Sequence, residues 1–275
     1  MTSQRRAAAA GVALVTGGSK GVGRAVAAGL GAAGFAVAVL ARSAQSLEET
    51  RALLAADGVP VAACVADVRD PAAVASAVAA AEQELGPIST VVNNAGTSLA
   101  VGPLWEVDPC DWRADVETTL GGAFNVCRSV IPGMIARGQG RILNVSSYAG
   151  LRAAPYQSAY GCAKAGLASL TESLAVSLAP HGIRAFTVTP GFTRTGLTKQ
   201  LTESPAGRRW LPELQGRDSL DPDLFVRLTV TVALGGADIL SGRFLHALDD
   251  IDELVNRFAE VETAELYAPR LRRLG

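Results

Sequence analysis

Tyr160 and Lys164 stand four residues apart in the run Tyr160-Gly161-Cys162-Ala163-Lys164, and Ser147 lies thirteen residues upstream of the tyrosine. On a helix this spacing puts both side chains on one face, about one turn apart. An ammonium that close to a phenol favours the phenolate and draws the tyrosine down from its ordinary value of ~10. A tyrosine tuned in this way exchanges a proton near neutral pH, as a general acid or base must. The Ser147 hydroxyl would then hold the oxygen that receives the proton. The pair alone decides little, because a solvated helix face carries the same spacing. Its meaning depends on the elements that would have to position it.

The chain has 275 residues, a length that fits one large α/β domain or two small ones. It is 49% hydrophobic with 29 glycines, enough for a sizeable core joined by many tight turns. The formal net charge of −1 argues against nucleic acid or an anionic membrane as the main partner. With only His181 and His246, a histidine-based metal site and a Ser-His-Asp triad are both disfavoured, and no metal is expected. Cys64, Cys110, Cys127 and Cys162 are scattered without a C-x-x-C pair, which reads as reduced thiols in a cytoplasmic protein. Arg5-Arg6 followed by Ala7 to Val15 imitates a leader peptide. The apolar run leads straight into Thr16-Gly17-Gly18-Ser19, however, so a short disordered tail before a first buried strand is expected. No run approaches the ~18 apolar residues of a membrane span.

Along the chain, short apolar runs alternate with longer Ala-rich stretches. Strands are expected at Val12–Thr16, Ala36–Ala41, Val61–Ala66, Ser89–Asn93, Arg141–Ser146, Arg184–Thr189 and Arg243–His246. They are continuous apolar runs, as strands covered on both faces are. Helices are expected near Gly23–Ala33, Leu47–Ala56, Pro71–Leu85, Trp112–Arg137, Ser158–Pro180 and Asp223–Gly235. Asp70-Pro71 supplies a cap and a first-turn proline for the third of these. The alternation predicts a doubly wound, seven-stranded parallel sheet with helices on both faces, spanning residues 1–275 as one domain with a core near 11–247.

Two segments break the rhythm. Phe192–Pro222 is polar, follows a strand's C-terminal end and contains Arg208-Arg209-Trp210-Leu211, so it reads as a substrate lid or a tolerated surface insertion. Residues 248–275 carry Ile251, Leu254, Val255, Phe258 and Val261 at helical spacing, with Asp249 or Asp250 as cap. That amphipathic arm would pack on its own domain or on a partner, and Arg270-Leu271-Arg272-Arg273 would be a solvated tail.

Thr16-Gly17-Gly18-Ser19-Lys20-Gly21-Val22-Gly23 sits between the first strand and the first helix. Its spacing is G-x-x-x-G-x-G rather than G-x-G-x-x-G, but the physics is shared. Glycines let the backbone turn sharply and approach a pyrophosphate held by the helix N-terminus. At the end of the second strand an acid would grip the 2′-hydroxyl of NAD, whereas a base accommodates the 2′-phosphate of NADP. Here Val39-Leu40-Ala41-Arg42-Ser43 has no carboxylate, and Lys20 adds a second cation, so NADP(H) is the expected cofactor. Arg42 and Lys20 also read as ordinary solvated residues.

Together these features resemble the short-chain dehydrogenase/reductase family in its single-domain branch, from about Val12 to His246. The motifs that carry the resemblance are Thr16-x-x-x-x-Gly21-x-Gly23 with Gly17, Asp67-Val68, Asn93-Asn94-Ala95-Gly96, Ser146-Ser147, Tyr160-x-x-x-Lys164, and Pro190-Gly191 with Thr193 and Thr195. The resemblance implies a Rossmann fold. It implies that Gly17, Ser19, Lys20, Gly21, Val22 and Gly23 hold the cofactor's phosphates, with Arg42 and Ser43 at its 2′ end. Asp67 and Val68 would contact the adenine, Asn93 would brace the loop beneath the cofactor, and Asn94, Ala95 and Gly96 would line it. Pro190, Gly191, Thr193 and Thr195 would lie at the nicotinamide. Without the family, Asp67 and Asn93-Asn94 read equally well as turn residues.

The implied reaction is hydride transfer between NADPH and a carbonyl, or the reverse on a secondary alcohol. Tyr160 would give the proton, Ser147 would hydrogen-bond the carbonyl oxygen, and Lys164 would hold the ribose and lower the tyrosine's pKa. Ser147 rather than Ser146 follows from the thirteen-residue spacing. One departure stands out: before Leu120-Gly121-Gly122-Ala123-Phe124 the family has an asparagine that holds a relay water, and this chain has Thr119. A threonine offers one hydroxyl in place of an amide, so an altered proton relay is expected.

The expected substrate is a small carbonyl or alcohol compound, met by Ser147, Tyr148, Arg152, Ala153, Ala154, Tyr156, Phe192 and Trp210. A 3-oxoacyl-carrier-protein reductase is the alternative, with Arg208 and Arg209 facing an acidic carrier or solvent. A non-catalytic NADP-binding regulatory protein is the alternative of a different class. A homotetramer or dimer would form on the helices that contain Trp112–Arg137 and Ser158–Pro180.

Overall fold

A computed structural model describes residues 10–270. The Arg5-Arg6 tail and the basic end at 271–273 lie outside the described residues.

The strands are β1 (Val12–Thr16), β2 (Ala36–Ala41), β3 (Val61–Val65), β4 (Ile88–Asn93), β5 (Gly140–Val145), β6 (Ile183–Thr189) and β7 (Phe244–His246). They form one sheet in the order β3-β2-β1-β4-β5-β6-β7, and every pairing is parallel. This is the doubly wound Rossmann arrangement that the strand–helix rhythm predicts. The order reverses between β1 and β4, which opens a crevice at the carboxyl ends of those strands.

The helices are α1 (Gly21–Ala32), α2 (Ala44–Ala56), α3 (Pro71–Leu85), α4 (Pro109–Val116), α5 (Gly122–Arg137), α6 (Ser158–Leu178), α7 (Gly196–Glu203), α8 (Pro205–Trp210), α9 (Pro222–Ala233), α10 (Ile251–Asn256) and α11 (Phe258–Thr263). Successive strand residues point to opposite faces, so each strand feeds two cores. Ala13, Val15, Val37, Val39, Phe186 and Val188 pack under α1, α9 and the C-terminal arm. Val12, Leu14, Ala38, Leu40, Ile142 and Ala185 pack under α3, α5 and α6. Burial on both faces is why the strands carry uninterrupted apolar runs.

The helix expected at Trp112–Arg137 starts earlier and is not regular. Asp108 accepts from the Cys110 and Asp111 amides, and Pro109 follows in the first turn, so α4 begins there. Residues Glu117–Gly121 then widen into a single π turn before α5. Thr119 lies in that turn.

The polar segment after β6 is not an open loop, since α7 and α8 are built into it. Thr195 caps α7 by accepting from the Thr198 amide, while the Thr198 hydroxyl accepts from the Thr195 amide. The C-terminal arm packs on its own chain: Asp250 caps α10, and Ile251, Leu254 and Val261 join the core beneath α9. Arg270 is not a free tail residue; it pairs with Glu172 on α6 and with Glu265.

Candidate active site

The carboxyl ends of the strands meet in a cleft of about 1120 Å³. Its floor at one end is the glycine turn between β1 and α1. Gly17 and Gly21 adopt left-handed backbone, with φ of 64° and 52°. A Cβ at Gly23 would lie 2.3 Å from the Gly17 carbonyl oxygen and 2.6 Å from Asn94 Nδ2, so no side chain is tolerated there. The turn therefore leaves bare backbone at a helix N-terminus, and a dinucleotide pyrophosphate fits that surface. Asn94 locks the turn from below: its Nδ2 donates to the Thr16 carbonyl at 2.9 Å, and its amide donates to Thr16 Oγ1.

Asn94, not Asn93, is thus the brace beneath the loop. Strand alternation turns the Asn93 side chain down instead, where it donates to Asn144 Oδ1 at 2.8 Å. Asn144 donates in turn to Thr171 on α6 at 2.8 Å. This buried chain ties β4 and β5 to the helix that carries Tyr160 and Lys164. Asn144 and Thr171 carry no motif and were not singled out from the sequence.

Gly17, Lys20, Gly21, Val22, Gly23, Arg42, Asn94, Ala95, Gly96, Pro190, Gly191, Thr193 and Thr195 line the cleft. Ser19, Ser43, Asp67 and Val68 line an adjoining recess of about 400 Å³ shared with Lys20 and Arg42. Asp67 there is held at 2.7 Å by Arg69, which keeps its carboxyl below the usual range, with Arg42 adding to the effect. Arg42 and Lys20 form no ion pair among the described residues, so the recess keeps two uncommitted cations.

At the other end of the cleft stand Ser147, Tyr160 and Lys164. Lys164 is 5% exposed, and its Nζ donates to the Val145 carbonyl at 2.5 Å. Nζ also lies 5.5 Å from the centre of the Tyr160 ring. The Ser146 hydroxyl is spent on the Lys164 carbonyl at 3.0 Å, whereas the Ser147 hydroxyl acts on the Tyr160 phenol and draws its pKa down. Tyr148, Arg152, Ala153, Ala154 and Phe192 line this end as expected. Tyr156 and Trp210 do not. Tyr156 has left-handed backbone, φ 62°, and its ring meets Trp210 at 4.9 Å, away from the cleft. Arg208 and Arg209 lie in the last turn of α8, off the cleft, with Arg209 over the Trp210 ring. Thr198, Leu201, Arg217 and His246 line the cleft without having been singled out, because they reach it only through the packing of α7, the 211–220 stretch and β7.

Residues 11–206 match the family described as short chain dehydrogenase. This chain belongs to the short-chain dehydrogenase family. It is 34% identical to the acetoacetyl-CoA reductase of Shinella zoogloeoides over 236 residues, covering 86% of this chain and 96% of that one. It is 35% identical to the gluconate 5-dehydrogenase of Gluconobacter oxydans over 199 residues, 72% of this chain and 77% of that one. Among solved structures it resembles a gluconate 5-dehydrogenase from Burkholderia cenocepacia in complex with NADP and tartrate. The TM-score is 0.77 at 30% identity, over 86% of this chain and 92% of that one. The chain is accordingly an oxidoreductase of the family that acts on alcohol and ketone groups.

In this short-chain dehydrogenase the tyrosine is not poised as the spacing alone suggests. Burial pushes the Tyr160 phenol up, the Ser147 hydroxyl pulls it down, and the charge of Asp115 raises it further. Burial also pulls Lys164 down, to about 8. Desolvation therefore outweighs the pairing that the sequence predicts. Thr119, the departure from the family pattern, is 1% exposed, and its Oγ1 has no hydrogen-bond partner among the described residues. A Cβ at Gly96 would lie 3.3 Å from that oxygen and 3.7 Å from Lys164 Nζ, so both atoms face one spot.

The depressed lysine makes stability depend on pH. Between about 8 and its ordinary 10.5 the unfolded chain binds more protons at Lys164 than the folded chain does, so stability rises with pH across that window. Below it the folded state carries the whole cost of enclosing the cation, roughly 3 kcal/mol. Lys164→Met is expected to be more stable than the parent at pH 7 in urea melts, with the gap closing between pH 8 and 10.5.

Proposed function

We propose that the chain is an NADP(H)-dependent ketoreductase and alcohol dehydrogenase for a small or medium-sized carbonyl compound, with Tyr160 as the general acid and base. The observation that carries this reading is the cluster of Ser147, Tyr160 and Lys164 in the same cleft as the bare glycine turn. Gly17, Ser19, Lys20, Gly21, Val22 and Gly23 would hold the pyrophosphate. Lys20, Arg42 and Ser43 would meet the 2′-phosphate, with Asp67 and Val68 at the adenine. Asn94, Ala95 and Gly96 would underlie the ribose, and Pro190, Gly191, Thr193 and Thr195 the nicotinamide. When bound, that cofactor supplies the hydride.

The chain's own groups do the proton chemistry. Ser147 donates to the substrate's carbonyl oxygen and fixes it beside Tyr160, and Tyr160 donates its proton as charge grows there. Lys164 then stabilises the phenolate through space. In the oxidative direction the phenolate takes the proton back. Thr119 and Lys164, facing one spot at Gly96, fit a relay in which the threonine hydroxyl does the work of the family's amide.

The acetoacetyl-CoA reductase relative supports a second reading, a 3-oxoacyl thioester reductase. A regulatory NADP-binding protein would have no use for the Ser147–Tyr160 contact. A homotetramer or dimer agrees with exposed Phe124, Ile135 and Val176 on α5 and α6, and the cytoplasm is its proposed location.

Three outcomes test the proposal. Tyr160→Phe is expected to lower the rate of NADPH oxidation with a ketone panel by about 10²-fold or more; near-full activity would remove the mechanism. In fluorescence titrations NADPH is expected to bind more tightly than NADH, and equal binding would remove the case built on Lys20 and Arg42. Thr119→Asn is expected to keep or raise reductase activity. Its loss with cofactor binding intact would overturn the role given to Thr119.

A further inference from the structure

The cleft wall holds a histidine that proton transfer does not use. His246 ends β7 and is 8% exposed. Its Nδ1 accepts the Leu248 amide hydrogen at 3.1 Å, which requires a lone pair on Nδ1 and places the proton of the neutral ring on Nε2. Burial holds the imidazole below its ordinary value, against the opposing charge of Asp249, so the ring is neutral at pH 7. The ring stacks on Tyr148, with centroids 5.1 Å apart. Nε2 is turned toward Gly191, where a Cβ would sit 2.9 Å from it. Among the described residues Nε2 has no hydrogen-bond partner. This N–H opens onto the cleft with no acceptor from the described residues, so it is available to one that arrives with a ligand.

Two guanidiniums line the same cleft. Arg152 lies over the Tyr148 ring, 5.8 Å from its centre, and Arg217 lies over Phe192 at 5.0 Å. Ring faces orient a guanidinium without neutralising it. Neither arginine forms an ion pair among the described residues. Glu213 and Asp218 also line the cleft, from the exposed 211–220 stretch, and they too form no ion pair there. They weaken the positive field without closing either guanidinium fork.

We propose that His246 Nε2, Arg152 and Arg217 together receive an anionic group of the substrate, a carboxylate or a phosphate. The inference rests on Ser147 and Tyr160 marking the reacting end. Guanidinium forks match the paired oxygens of either anion, and a neutral imidazole N–H supplies a third, directional bond. His246 is then a specificity-determining residue rather than a participant in proton transfer.

Matched substrates test it. The full chain is assayed with NADPH on 3-oxobutanoate and its methyl ester, and on acetoacetyl-CoA and the N-acetylcysteamine thioester, which lacks the phosphates. The charged member of at least one pair is expected to be favoured about tenfold or more in kcat/KM. Preference for the free acid assigns a carboxylate; preference for the CoA thioester assigns a phosphate. Arg152→Gln, Arg217→Gln and His246→Phe are each expected to erode that preference about fivefold or more, mainly through KM. His246→Gln, which keeps an N–H, is expected to retain more of it than His246→Phe. No preference in the parent, or equal losses on charged and neutral partners, overturns the anion site.

Calorimetric binding of 3-hydroxybutanoate, CoA and methyl 3-hydroxybutanoate separates the two readings. If no carbonyl compound is reduced while the anions bind selectively and the variants lose that selectivity, the anion site stands and the reductase reading falls. If ketones are reduced without discrimination, the reverse holds.

Discussion

Lys164 is a cation that the fold has enclosed, and its ammonium is held by the carbonyl of Val145 at the end of β5. Removing an ammonium from water is costly unless it is paired or hydrogen-bonded. The rest of the site is arranged around that cost. Asn93, Asn144 and Thr171 tie β4 and β5 to α6, which fixes where Lys164 emerges. Ser146 secures the same helix through the Lys164 carbonyl and leaves Ser147 free to meet Tyr160.

The cleft's two ends use different physics. At the glycine turn bare backbone forms the cleft's surface, and its shape follows from contacts too close for any side chain. At the end that holds Ser147, Tyr160 and Lys164 the groups are side chains whose protonation is governed first by burial. Tyr160 is pushed up and Lys164 down, so each is held toward its neutral form.

Local signals that act through near neighbours were legible. The strand runs, the cap at Asp70-Pro71 and the glycine turn all fell where their chemistry indicated, because each depends on residues close in the chain. Asp108-Pro109 carries the same start signal as Asp70-Pro71, but the expected helix starts only at Trp112, three residues after Pro109. The π turn at Thr119 left no mark in the periodicity, since a single widened turn shifts the helix face only once. The two helices α7 and α8 lie in a segment whose polar composition reads as loop, and each is started by a side-chain cap, Thr195 for α7 and Ser204 for α8.

The sequence by itself determined the sheet, its parallel sense and the residue types at the strand ends, because alternation of apolar runs with amphipathic stretches admits few other packings. Tertiary structure alone decided which of those residues face one another. It put Asn94 rather than Asn93 under the turn, sent Tyr156 to Trp210 instead of the cleft, and brought His246 beside Tyr148 across almost a hundred residues of chain. It also reversed the expected direction at Tyr160. Spacing reports the neighbouring charge, but the cost of leaving water depends on everything packed around the group, and only the folded chain supplies that.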